Sequence, residues 1–203
     1  LRHEKIFLCC EGLDTLAEIR LNGMEVARTE NMHRTYEFLV NGLLKPGKNT
    51  IKITFLSPFP YIEAKQKQTE LWGGDVKGCA HLRKAHYMFG WDWGPQLPDA
   101  GIWRPIYLKG YVTARLRDLY PVQRHQKDGV DLELRVRCEQ WQNGTLTAKA
   151  KIVSPKGEEF TATVDILENN GSLSIHIPNP ELWWPNTYGT QPLYEVKVEL
   201  WQN

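Results

Sequence analysis

Apolar and polar residues alternate along most of this 203-residue chain, and turn residues cut the alternating runs apart. A period of two puts successive side chains on opposite faces of a strand, so such runs do not settle as amphipathic helices. Ala17, Ile19 and Leu21 alternate with Glu18 and Arg20, and Asn22-Gly23 follows. Asn-Gly after such a run predicts a type I′ hairpin, because both central residues need φ > 0. Tyr36, Phe38 and Val40 alternate again, and Pro46-Gly47-Lys48-Asn49 reads as a turn. Ile51, Ile53 and Phe55 predict a further half-buried strand, ended by Pro58 and Pro60.

The pattern is cleaner from Arg115 onward. Val130, Leu132, Leu134, Val136 and Cys138 share one face of a strand, and Asp131, Glu133, Arg135, Arg137 and Glu139 share the other. Asn143-Gly144 predicts a second hairpin turn before Leu146, Ala148, Ala150 and Ile152. Pro155-Lys156-Gly157 and then Asn170-Gly171 predict turns around Phe160, Ala162 and Val164. Leu173, Ile175 and Ile177 resume the alternation, and Tyr194, Val196, Val198 and Leu200 form the last clear strand. Short antiparallel strands at this spacing predict an all-β chain of two β-sandwich domains, residues 1–112 and 113–203. One stretch departs from the pattern. Tyr61 to Leu71 holds mostly helix formers and reads as a short helix stopped by Gly73-Gly74. Asn143-Gly-Thr and Asn170-Gly-Ser also match the glycosylation sequon, but a turn is itself a reason for Asn-Gly, so both are read as turns.

Charge excludes some classes of function. Lys and Arg number 25 and Asp and Glu 24, leaving +1. That balance argues against a nucleic-acid or membrane-surface partner held by bulk charge. No apolar run approaches the ~18 residues of a membrane span. The start at Leu1, without Met and without a leader-like apolar run, reads as a piece of a longer protein. Cys9, Cys10, Cys79 and Cys138 form no C-x-x-C pair and read as buried thiols. Cys79, His81 and His86 lack a zinc spacing, and no metal or cofactor is called for. Nothing distinguishes a periplasmic, extracellular, lysosomal or cytoplasmic location.

Chemistry concentrates in one aromatic stretch, RKAHYMFGWDWGPQLPDAGIWRPIY, from Arg83 to Tyr107. Gly90, Gly94 and Pro95 break regular structure there and place Trp91-Asp92-Trp93 on a tight loop. Indole faces stack on the C–H faces of sugars, and a carboxylate between them accepts hydroxyl hydrogen bonds. The same residues could instead be core, with Asp92 paired to Arg83 or Lys84. Composition leaves these two readings even, whereas Trp103 reads as packing. A second cluster, Leu182-Trp183-Trp184-Pro185-Asn186-Thr187-Tyr188-Gly189, reads as an aromatic plug or interface. A retaining glycosidase needs two carboxyl groups ~5–5.5 Å apart, and nothing in the spacing of Asp92 and Asp99 supports such a pair. No Ser/His/Asp or Cys/His constellation and no phosphate-cradling glycine loop is present.

The run RKAHYMFGWDWGPQLPDAGIWRPIYL resembles the signature of β-mannosidases of glycoside hydrolase family 2. GLDTLAEIRLNG, ENMHRTYEF and KPGKNTIKITFLSP are similar to that family's N-terminal sugar-binding jelly roll. NPELWWPNTYGTQPLYEVKVEL is similar to the end of its immunoglobulin-like sandwich. The resemblance implies a partial jelly roll lacking early strands, then a sandwich lacking a last strand. The partner it implies is the parent enzyme's catalytic (β/α)₈ barrel, whose acid/base and nucleophile glutamates have no counterpart here, so the fragment itself is non-catalytic. The implied substrate is a terminal β-mannoside oligosaccharide. Asp92 would reach hydroxyls of the sugar in the −1 subsite, with Trp91 and Trp93 bordering it; Arg83 and Lys84, its possible ionic partners, are the supporting residues read from the sequence itself. Trp183 and Trp184 would pack between domains. β-Galactosidases and β-glucuronidases share this layout, and a stand-alone carbohydrate-binding module is the rival from another class.

Overall fold

The computed structural model describes residues 2–74 and 76–202. The chain divides into two units, Leu1–Tyr111 and Val112–Asn203. In the first, the strands are β1 (Lys5–Cys10), β2 (Leu13–Asp14), β3 (Leu16–Leu21), β4 (Met24–Glu30), β5 (Tyr36–Leu39), β6 (Ile51–Phe55), β7 (Gly101–Ile102) and β8 (Ile106–Tyr111). Among the described residues they form antiparallel sheets in the orders β5-β1-β8 and β4-β3-β6, plus the short pair β2-β7. Ile6, Leu8 and Cys10 of β1 and Ala17, Ile19 and Leu21 of β3 close one core between the two larger sheets, which makes the unit a sandwich. Asn22 and Gly23 adopt φ of 53° and 86°, so the β3–β4 hairpin turns as its Asn-Gly pair requires.

Between β6 and β7 the chain leaves the sheets. Helix α1 spans Pro58–Gln68, and single 3-10 turns follow at Cys79–His81 and His86–Phe89. The helix starts three residues earlier than its composition predicts and ends three residues sooner. Pro58 and Pro60 open it rather than only ending a strand, because the N–H groups of a first helical turn have no partner to lose. Ile62, Val76, Cys79, Leu82 and Phe89 pack with Leu16 into a second, smaller core beneath this excursion.

The second unit contains β9 (Ala114–His125), β10 (Gly129–Gln140), β11 (Leu146–Val153), β12 (Glu159–Asp165), β13 (Asn170–Pro178) and β14 (Glu195–Gln202). They pair in the orders β13-β10-β9 and β12-β11-β14. The expected inward face of β10, Val130 to Cys138, is buried, as are Leu146, Ala148, Ala150 and Ile152 opposite it. Pro121 lies in β9, an edge strand, where a missing N–H costs no ladder bond. All of this agrees with an all-β sandwich.

Both later Asn-Gly pairs depart from the expected turns. Asn143-Gly144 is not a hairpin, because β10 and β11 lie in different sheets and the segment between them crosses over. The Gln140 side-chain amide fills that crossing by donating to the carbonyls of Gln142 and Gly144, at 2.8 and 2.7 Å. Asn170 already belongs to β13, and the left-handed residues are Glu168 and Asn169, with φ of 50° and 68°. Leu167 and Asn170 exchange both backbone hydrogen bonds around them at 2.9 Å. Gly171 is not left-handed, and its side-chain position is taken by Ile166, whose Cδ1 would lie 2.8 Å from a Cβ there.

Candidate functional site

The aromatic stretch forms a loop whose base is tightly held. Lys84 is buried, and its ammonium lies 2.5 Å from Asp14 Oδ2 and 2.6 Å from the carbonyl oxygen of Asp99. Thr15 donates its hydroxyl to the other carboxylate oxygen of Asp14. A buried charge needs both a counter-ion and satisfied hydrogen bonds, and this cluster supplies both. Asp14 also sits on β2, which pairs with β7 just beyond the loop. The backbone of Met32 joins the two flanks, since its N–H donates to Arg83 O at 2.9 Å and its carbonyl accepts the Trp103 indole N–H at 3.2 Å.

Phe89 anchors the leading side. It is fully buried and meets Phe59 edge-on, with ring centroids 6.4 Å apart. Gly90 follows with φ of 79°, and a side chain there would strike the Pro95 carbonyl. The chain then arches outward. Trp91 is 52% exposed and Trp93 85%, with ring centroids 5.8 Å apart and planes tilted by 40°. Asp92 between them is exposed, and among the described residues its carboxylate has no hydrogen bond or ion pair. Trp91 and Trp93 border an open groove of about 520 Å³ whose other walls are Gly73, Val76, Cys79, His86, Tyr87 and Gly90. The result is a solvated carboxylate flanked by two indole faces beside a concave, mostly apolar surface. Such a surface can stack on a sugar ring while the acid accepts from its hydroxyls.

The sequence left open whether Asp92 is a buried ion-pair member, and the geometry answers against it. Lys84 pairs with Asp14 instead, 70 residues away in sequence, because a buried ammonium takes the carboxylate that shares its burial. Arg83 is exposed and contributes its backbone, to Met32, rather than a charge to Asp92. Trp103, expected as a packing residue, is 44% exposed and packs only in part. Its indole covers Gly12, where a Cβ would lie 2.5 Å from Nε1, and Arg104 stacks 4.2 Å above the ring. Tyr107 is not a site residue, since its hydroxyl donates to Glu11 at 2.8 Å, a bond that raises its pKa to about 12. The Cys79 thiol donates to the Gly73 carbonyl, and burial pushes its pKa up, which disfavours a reactive thiolate. His81 Nε2 faces two acceptors, Gln66 Oε1 and the Thr69 carbonyl, both at 2.9 Å, so that nitrogen carries the proton and is no metal ligand.

Trp183 and Trp184 are about half exposed on the second unit and line an open groove with Leu182, Leu193 and Tyr194. Sequence reasoning missed Asp14 and Met32. Asp14 had a visible signal, a lone acid in the apolar run Leu13-Asp14-Thr15-Leu16, which demands a buried partner. Met32 acts through its backbone and had none.

Comparison with known proteins agrees with this architecture. Residues 1–104 match the family described as glycosyl hydrolase 2 galactose-binding domain-like, and residues 112–203 match glycosyl hydrolases family 2. The chain belongs to glycosyl hydrolases family 2. Within that family it is similar to β-mannosidases. It is 34% identical to β-mannosidase B of Emericella nidulans over 96% of its own length and 24% of that protein's. It is also 34% identical to β-mannosidase B of Thermothelomyces thermophilus, over 94% and 23%. The crystal structure of a β-D-mannosidase from Dictyoglomus thermophilum superposes with a TM-score of 0.88 at 34% identity, covering 98% of this chain and 25% of that one. A β-glucuronidase from Bacteroides uniformis, with a TM-score of 0.66 at 18% identity, shares the fold. The chain spans about a quarter of the length of the β-mannosidases it matches.

Proposed function

We propose that this chain is the non-catalytic, sugar-facing portion of a retaining exo-β-mannosidase that releases terminal β-linked mannose from oligosaccharides. In this reading residues 1–112 act as a partial sugar-binding jelly roll and residues 113–203 as an immunoglobulin-like sandwich. The acid/base and nucleophile carboxylates of the double displacement belong to the remainder of a longer enzyme, a catalytic barrel that is the partner of this portion. The observation that carries the reading is the exposed, unpaired Asp92 carboxylate between the exposed indoles of Trp91 and Trp93. The identity to β-mannosidases supports the choice of sugar. Asp92 accepts a hydroxyl hydrogen bond from the terminal mannose, and the two indoles border the ring.

A hydroxyl bonded to a charged acceptor is worth about 1.5–3 kcal/mol, so Asp92→Ala in the full-length protein is expected to lower kcat/KM about 10–150-fold on an aryl β-mannoside. Because Asp92 is exposed and unpaired, the thermal midpoint should hardly move. A loss smaller than threefold in a folded variant would remove Asp92 from the site.

A further inference from the structure

The arch from Trp91 to Ala100 has almost no polar attachment of its own. Among the described residues its hydrogen bonds are two. One is internal and long, from Gly94 N–H to the Trp91 carbonyl at 3.5 Å. The other is the Lys84 ammonium on the Asp99 carbonyl at 2.6 Å. Burial adds little, because nine of these ten residues are exposed and Pro98 is half-buried. Among the described residues the Lys84 bond is therefore the single polar tie between the arch and the rest of its unit.

That tie has a built-in direction. Lys84 stands at the leading foot of the loop and Asp99 at the trailing foot, 15 residues later. One ammonium draws the two feet together. Asp14 orients it from the neighbouring strand β2, and Thr15 holds Asp14. The leading foot is separately plugged by Phe89, and the trailing strand is paired only from Gly101 onward, so Asp99 is the point of the trailing side that depends on Lys84. Without that donor the Asp99 carbonyl turns to water, and the chain from Gly94 to Ala100 gains the backbone freedom that Gly94 already permits.

We propose that Lys84 is the positioning residue of the sugar-facing loop. Its buried ammonium sets the placement of Trp91, Asp92 and Trp93 by clamping the loop's trailing foot, and Asp14 serves to hold that ammonium in place. The role of those three residues in sugar binding rests on the function proposed above, whereas the clamp itself does not.

The test separates the two. The full-length protein is compared with the double variant Asp14→Asn/Lys84→Met, which removes both buried charges together so that neither is left unpaired. Lys84→Arg is the conservative control that keeps a donor for each partner. Hydrogen exchange is followed by mass spectrometry in peptides from 90–100 and in peptides from β1 and β3. The expected result is exchange at least tenfold faster in 90–100 in the double variant, with β1 and β3 unchanged and with protection restored in Lys84→Arg. On an aryl β-mannoside the double variant should raise KM more than it lowers kcat, as expected for a displaced binding wall. Unchanged exchange in 90–100 would overturn the clamp, and so would loosening of β1 and β3 by the same factor, which marks a merely structural ion pair. Selective loosening of 90–100 without any change in KM or kcat would leave the clamp standing and count against the sugar-binding reading.

Discussion

The two units solve the same problem, closing a sheet on a sheet, in different ways. The second does it almost entirely with alternation. One continuous core runs from Leu132 to Ile177, fed by both sheets, and of the links between its strands only the one from Asn179 to Tyr194 is longer than five residues. The first has two cores, a helix between its strands and a buried ion pair at the foot of its aromatic loop. The contrast teaches where chemistry can be carried. The longest link is residues 179–194 in the second unit and 56–100 in the first, and the longer of the two is held by means other than strand pairing. Those means are a small apolar core, from Ile62 to Phe89, and the buried Lys84–Asp14 pair.

The comparison can be broken by removing each unit's characteristic support. The largest effect is expected for Lys84→Met alone, which strands a buried Asp14 carboxylate. Leaving one charge of a buried pair costs about 3–5 kcal/mol, read as a lowered denaturant midpoint for hydrogen exchange in β1 and β3. If the stability read there stays within about 1 kcal/mol of wild type, the first unit does not rely on polar fixing. Leu134→Ala removes a fully buried side chain from the second unit's core. It should cost about 2–5 kcal/mol, read in the same way from β10 peptides.

Two further substitutions sharpen what the units share. Gly23→Ala and Gly157→Ala replace left-handed glycines, at φ of 86° and 87°, with open space around each. Strain alone then acts, so each should cost about 1–2 kcal/mol in its own unit, and unequal values would show that tertiary packing intrudes on one turn. The smallest effect concerns the exposed face of β10. Arg135, Arg124 and Ser172 donate to Glu133 and hold its carboxyl down at about 2, against an ordinary 4.5. A depressed folded pKa means that the stability it lends is fully present above about pH 4.5 and is lost as pH falls toward 2. Glu133→Gln should therefore flatten the fall of the thermal midpoint between pH 4.5 and 2. An unchanged slope would show that these surface contacts add nothing measurable, as is common for exposed pairs.

Legibility followed the same division. In β10 and β11 the inward faces were readable residue by residue, because one local rule, the period of two, decides them. The turn after β3 was readable because the strands that flank Asn22-Gly23 pair directly with each other. The two later Asn-Gly pairs misled because composition cannot say whether flanking strands pair with each other. Asn143-Gly144 bridges two sheets, and Gly171 was spent on the approach of Ile166. In the loop, the candidate residues Trp91, Asp92 and Trp93 were visible as a cluster of the right chemistry. Their surroundings were not, and the suspected partner Lys84 turned out to serve the loop's foot rather than its acid.

The residues by themselves therefore determined the all-β class and the faces of the regular strands, and they marked out the segment proposed to contact sugar. Periodicity and turn propensity act over a few residues and can be read along a line. Tertiary structure decided which strands share a sheet, that Asp92 is exposed with no partner among the described residues, and that Lys84 meets Asp14 across 70 residues. Electrostatic pairing depends on which charges are buried together. That depends on how distant segments pack, and no local pattern encodes it.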